Sequence, residues 1–166
     1  TFSTHFNDRA GKEKYSLAGM VVHQQDEYVV SFAENLLLNY QKWSINKNNS
    51  IKIGNKDIAI HDFILKHSNE QLVLQSVGNT SNAPLKADFS NFSIATLAAF
   101  VMPDSLAMDG TVNGSLDLRN VMQKASFSGD LTINNLSFKK DTAGDLRVTF
   151  TRNSSDLVHA EMKLTG

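Results

Sequence analysis

Cysteine is absent from the 166 residues of this chain. That removes disulfides, thiolate metal sites and cysteine nucleophiles together, and it fits an oxidising compartment without establishing one. Charge of one sign is equally scarce. Sixteen Lys and Arg offset 17 Asp and Glu, leaving a formal net charge of −1. No basic stripe marks a nucleic-acid surface and no acidic tail marks a solvating arm. No apolar run approaches the length of a membrane span. The chain opens "TFSTHFNDRAGKEK", with no initiator Met, apolar signal core or cleavage-site pattern. It reads as a processed protein or an excised piece, with any targeting segment outside it.

Signs of chemistry are also missing. His5, His23, His61, His67 and His159 show no helical metal-pair spacing, whereas zinc needs three or four convergent ligands. There is no Gly-x-Ser-x-Gly elbow and no phosphate-cradling glycine loop ahead of a helix. Acidic residues are scattered singly, and nothing marks the converging pair of a glycosidase. His61-Asp62 could be half of an acid–base couple, but Asp62 already has a structural place in a repeat described below. The only tryptophan, Trp43, reads as a packing residue beside a turn cluster and not as a sugar platform. Asn-x-Ser/Thr triplets at Asn48, Asn79, Asn91, Asn113, Asn135 and Asn153 read as coincidence in an Asn- and Ser-rich chain. We expect no enzyme, no metal and no cofactor.

What is present is strand pattern. Hydrophobic residues make up 41 % of the chain, enough for the core of one domain spanning 1–166 or for part of a repetitive array. "DLRVTF" sets Leu146, Val148 and Phe150 against Asp145, Arg147 and Thr149; "VHAEMKL" sets Val158, Ala160, Met162 and Leu164 against His159, Glu161 and Lys163. Such alternation means a strand with one buried and one wet face. "DGTVNGSLDL" likewise places Val112, Leu116 and Leu118 together, with Gly114 between them. "GSLDL", "GDLTI" and "GDLRV" begin at Gly114, Gly129 and Gly144, a period of 15 that suits a meander of short antiparallel strands. A β-sandwich with regular turns would give similar intervals. Upstream, "YVVSFAENLLLNYQKWSI" favours strand, "NKNNS" (46–50) is a turn cluster, and the segment from Ser50 to Gly78 reads as consecutive hairpins. One short helix is expected in "IATLAAFVMP", stopped by Pro103, to plug or cap a sheet end. "VGNTSNAP" (77–84) is a loop.

A second pattern crosses the first. "IAIHDFIL" (58–65), "ADFSNFSI" (87–94) and "LTINNLSF" (131–138) share the template apolar-x-apolar-x-Asn/Asp-apolar-x-apolar. Side chains alternate along a strand, so a one-residue slip would send the second apolar pair to the wrong face. A bulge or bend at Asp62, Asn91 and Asn135 would keep both pairs on one side, and Asn and Asp suit such backbone.

In their order along residues 15–164 these motifs resemble the TamB family, the large AsmA-like translocation and assembly module proteins of Gram-negative envelopes. The segments that carry the likeness are "QKWSINKNNSIKI", "IAIHDFIL" with "QLVLQSVG", "KADFSNFSI" leading into "LAAFVMP", and "DGTVNGSLDL" followed by "FSGDLTINNLSF". The resemblance implies an all-β, curved, mostly antiparallel sheet folded into a U-shaped trough (a β-taco) with an apolar interior and at most one short helix. It implies a periplasmic segment of an inner-membrane-anchored protein, with the anchor and the extreme C-terminal end outside this chain. The parent would contact an Omp85-type outer-membrane barrel and support phospholipid transport between membranes, outer-membrane protein assembly, or both. Partners would be phospholipid acyl chains or unfolded β-strand clients, not nucleic acid. The groove lining is expected from Val112, Leu116, Leu118, Leu131, Ile133, Leu146, Val148, Phe150, Val158, Met162 and Leu164, with Ile58, Ile60 and Phe89 across the groove and Glu161 and Lys163 facing water. The alternative is a closed β-sandwich binding module, of adhesin or carbohydrate-binding type, with no lipid role.

Overall fold

The alternating segments fold as strands. The structure, a computed structural model, describes residues 1–78, 83–101, 108–139, 141–152 and 157–166. Pro103 and the triplets at Asn79 and Asn153 lie outside the described residues, as does half of the loop expected at 77–84. The first strands are β1 (Phe2–Asn7), β2 (Glu13–Gln24), β3 (Glu27–Phe32), β4 (Asn35–Leu38), β5 (Gln41–Ile45), β6 (Ser50–Ile53) and β7 (Ile58–His61). There follow β8 (Phe63–His67), β9 (Glu70–Ser76), β10 (Leu85–Ser93), helix α1 (Ile94–Val101), β11 (Met108–Arg119), β12 (Ser126–Phe138), β13 (Asp141–Arg152) and β14 (Val158–Thr165). All fourteen strands belong to one open antiparallel sheet. No second sheet closes it into a sandwich among the described residues.

The strand order conceals a simpler plan. β3 pairs β6 while β4 pairs β5, and β6 pairs β7 while β5 pairs β8. Thus β3/β4, β5/β6 and β7/β8 are each one leg of a meander broken in its middle. The "NKNNS" cluster is a turn, as expected, but not one that joins a hairpin. It is a break within a leg, where Asn49 N–H bonds the Asn46 carbonyl. Asn49 is buried, and its side-chain amide holds the neighbouring leg on both sides. Its Oδ1 accepts from Phe32 N–H and its Nδ2 donates to the Phe32 carbonyl, each at 2.8 Å. A side chain here replaces the missing ladder rung, as buried backbone groups require.

Asp62, Asn91 and Asn135 have φ of 53°, 47° and 52°. These are left-handed values, which Asn and Asp tolerate better than other residues with side chains. The pairing register shifts between Phe89 and Phe92 and between Ile133 and Leu136. Each shift leaves a backbone donor to be satisfied. Asn91 N–H donates to Asn113 Oδ1 and Asn135 N–H to Asp145 Oδ1, both at 2.8 Å. Around Asp62, Ile60 N–H donates to Ser76 Oγ at 2.9 Å and Ile64 N–H to Asn46 Oδ1 at 2.8 Å. The parity slip keeps one face apolar. Phe89 stands opposite Gly114 and Phe92, past the kink, opposite Val112, two residues apart and so on one face of β11.

The sheet is strongly curved. β5 and β10 are separated by β8 and β9, about 14 Å along a flat sheet. Yet the rings of Trp43 on β5 and Phe92 on β10 lie 5.4 Å apart. Around that contact Leu36, Leu38, Ile45, Leu65 and Val112 form the buried core. Helix α1 starts where Ser93 Oγ accepts from Thr96 N–H, an N-cap bond, at 3.4 Å. It lays Ile94 and Leu97 against the same core.

Candidate functional site: an apolar sheet face

Residues directly opposite on antiparallel strands share a face, so the register assembles the lining row by row. Phe92, Val112, Ile133, Leu146 and Leu164 form one row across β10–β14. Phe89, Gly114, Leu131, Val148 and Met162 form the next. Ala87, Leu116, Gly129, Phe150 and Ala160 form a third, and Leu85, Leu118, Phe127, Arg152 and Val158 the fourth. The rows sit side by side, so the four strand pairs present one contiguous apolar surface. Its only charged member is Arg152, whose guanidinium lies over the Phe127 ring at 5.9 Å.

Two glycines of the 15-residue period fit this packing through the backbone. Gly114 and Gly144 have φ of 125° and 105°, and a Cβ on either would collide with a carbonyl of the next strand, that of Asp130 or of Thr165. Gly129 works through space: the side chains of Leu116 and Phe150 close over it, so the third row stays continuous.

Ile58 and Ile60 lie on the other arm of the sheet, sharing the apolar face with Ile53 and Ile51. Phe89 is not across the groove from Leu131. It stands in the same row, because β10 and β12 both flank β11 and Gly114 separates the two side chains. The face is not uniformly accessible. Phe92 is wholly buried and Val112 nearly so, closed over by α1 and by the opposing wall around Trp43. The rows open progressively toward β14, where Val158, Met162 and Leu164 are 54 %, 71 % and 57 % exposed. The lining thus grades from dry core to open edge.

The opposite face carries the polar alternates. Arg147 Nε and Nη2 donate to Asp130 Oδ1 and Oδ2 at 3.0 and 2.6 Å. That bidentate bond holds the Asp130 carboxyl below its ordinary value and lifts Arg147 above its own. A twisted sheet is concave along one diagonal on each face, and on this polar side a shallow depression of about 500 Å³ runs over β11–β14. Polar residues such as Ser115, Asp130, Thr149 and Glu161 line it, together with Gly129, Phe150 and Ala160 of the third row. No group of three metal-binding side chains converges among the described residues, and no helix among them is long and apolar enough to cross a membrane.

Trp43 is a packing residue, as its sequence setting suggested, but sequence reading did not place it at the contact between β5 and β10. Its ring is 2 % exposed, lies between Phe92 and His67, and its indole N–H has no acceptor. Nor did it find Asn49, since a polar cluster gives no sign that one member turns inward. Comparison of the chain with family models, curated proteins and solved structures gave no match.

Proposed function

We propose that this chain is a stretch of apolar trough in a TamB/AsmA-like bridge protein of the Gram-negative periplasm, and that its lining carries phospholipid acyl chains between membranes. The observation that carries the reading is the set of four apolar rows, kept in register over five consecutive legs and ending open at β14. A contiguous exposed apolar surface of this kind marks an interaction site. Each methylene moved from water onto it gains about 0.8 kcal/mol, so a chain of some sixteen carbons gains on the order of 10 kcal/mol before ordering costs. An unspecific, continuous lining holds such a tail while letting it slide. Nothing in the arrangement asks for a nucleophile, a metal or a cofactor.

The weak point of such a path is any position where a charge enters it. Leu146 sits within the first row, between Ile133 and Leu164. Replacing it by Asp sets a carboxylate against the lipid tail, at a cost of several kcal/mol unless water reaches it. Leu146→Asp in the parent protein is expected to impair outer-membrane integrity at normal protein levels. Arg147→Glu, on the polar face, is expected to leave it intact. Equal effects from the two changes, or none from Leu146→Asp in a folded protein, would sink the conduit reading.

A further inference from the structure

The apolar face has two accessible stretches with a dry one between them. On one arm Val21, Val30, Ile51 and Ile60 form a row, and His23, Tyr28, Ile53 and Ile58 the next, with Tyr28 52 % exposed. On the other arm Leu131, Ile133, Leu146 and Val148 are half-buried. Between the arms Trp43, Ile45, Phe92 and Val112 are each 3 % exposed or less. We propose that helix α1 and the end of β10 form a gate that shuts the acyl-chain path at this point, with Glu70 as its latch. This rests on the acyl-chain reading and adds a closed state to it.

Packing makes the closure. Protein interiors are filled as densely as organic crystals and leave few voids larger than a water molecule. A tail passing from one arm to the other must therefore displace a side chain. Trp43 belongs to β5, which is held between β4 and β8. Phe92 is less constrained. Pairing of β10 with β9 ends at Ser90, and past the Asn91 kink Phe92 is paired to Val112 of β11 and leads straight into α1. Two adjacent residues tie this end of β10 to the opposing wall. The Phe92 ring lies 5.4 Å from that of Trp43. Ser93 N–H donates to Glu70 Oε2 at 2.8 Å, and the same oxygen accepts from Thr96 Oγ1 at 3.4 Å. Glu70 pairs with His67, whose ring in turn packs 5.1 Å from that of Trp43, so latch and ring contact lie side by side. With eight residues, α1 is too short to hold its shape without docking. One carboxylate fastens its first turn to β9, and bonds to a charged acceptor are stronger than neutral ones. Breaking them frees α1 and Phe92 to swing about Asn91, whose φ of 47° already interrupts the strand, as a hinge residue must.

The test follows where a tail reaches. The chain is loaded with palmitate bearing a diazirine near its methyl end, irradiated, and the labelled residues are mapped by mass spectrometry. In the unaltered chain, label is expected on β3, β6, β12 and β13 and absent from Trp43 and Phe92. Glu70→Ala should bring label onto Trp43 and Phe92, about tenfold above the unaltered chain, as loss of a charged hydrogen-bond acceptor implies. Hydrogen exchange should rise in α1 and stay unchanged in β12. Thr96→Val keeps the bulk and loses one of the two bonds, so it should raise the label less. Glu70→Cys with Thr96→Cys, in a chain with no cysteine of its own, allows a short cleavable linker to close the same contact. Linked, it should return Trp43 and Phe92 to background; cut, it should label them again. Equal label there in the unaltered chain and in Glu70→Ala means that the path is never shut, which overturns the gate and leaves the lipid reading. So does label confined to the two arms in every variant. If Glu70→Ala loses protection in β12 as well, Thr96→Val decides alone, and no rise overturns the gate. No label on either arm removes the lipid reading itself, and the gate with it.

Discussion

Asn135 does its work through the backbone. Its side chain is exposed, yet its φ of 52° is a value that costs a residue with an ordinary Cβ about 1–2 kcal/mol. Asn135→Val should therefore lower the unfolding free energy by about that much, while Asn135→Gly should change it by only a few tenths. Urea denaturation distinguishes the two, and equal effects would remove the left-handed kink from the account of the repeat. Asp8 and Tyr40 make a second single-residue case. Tyr40 Oη donates to Asp8 Oδ2 at 2.6 Å, tying the β1–β2 turn to the β4–β5 turn. That bond, helped by Lys12 N–H, holds the Asp8 carboxyl below its ordinary value and raises Tyr40. The signs are opposite. Stabilisation from Asp8 is present above the ordinary carboxylate range and is lost as pH falls through its lowered pKa. Stabilisation from Tyr40 is present below the ordinary phenol pKa and is lost as pH rises through its raised one. In Tyr40→Phe the Asp8 titration, followed by carboxyl NMR, should move up toward the ordinary range.

At the scale of elements, a side chain stands in for a hydrogen-bonded rung wherever a leg is broken or bulged. Asn49 is the deepest case, buried and bonded to both backbone groups of Phe32. Asn49→Leu would leave an N–H and a carbonyl buried without partners, at about 1–3 kcal/mol each. A loss of about 2–6 kcal/mol in chemical denaturation is expected, with hydrogen exchange rising first at β3 and β6. The strands themselves were plain in the sequence, because alternation is a local property written residue by residue. β13 and β14 show it without a break. The parity slips also have local chemistry, since Asp or Asn fills the slipped position each time. The breaks at Ala33–Glu34 and Asn46–Asn49 were not legible. A polar cluster looks alike whether it turns a hairpin or reaches back 17 residues to repair a neighbouring leg. That choice is made by tertiary packing, which no short pattern encodes.

For the whole molecule, the consequence is a gradient. Dry packing concentrates where α1, β5, β8, β10 and β11 meet, and the apolar rows loosen toward β14. Phe92→Ala should cost about 3–5 kcal/mol, as expected for a fully buried aromatic. Met162→Ala, on the open edge, should stay within about 0.5 kcal/mol. Comparable losses at both positions in thermal or urea unfolding would mean that the edge is covered. The same gradient explains why Val112 was expected in an open lining and lies in the core. Its row is continuous with Leu164, but row membership sets the face and not the cover.

The contact between Trp43 and Phe92 also has an optical meaning. The chain carries a single indole, and it sits where the two arms of the curved sheet touch, out of reach of water. Its emission is therefore a native gauge of arm separation, needing no label. A brominated fatty chain that pries the arms apart would quench it, while one lying only along the outer strands would leave it bright. The fluorophore thus distinguishes an occupant that threads the fold from one that merely rests on its open side.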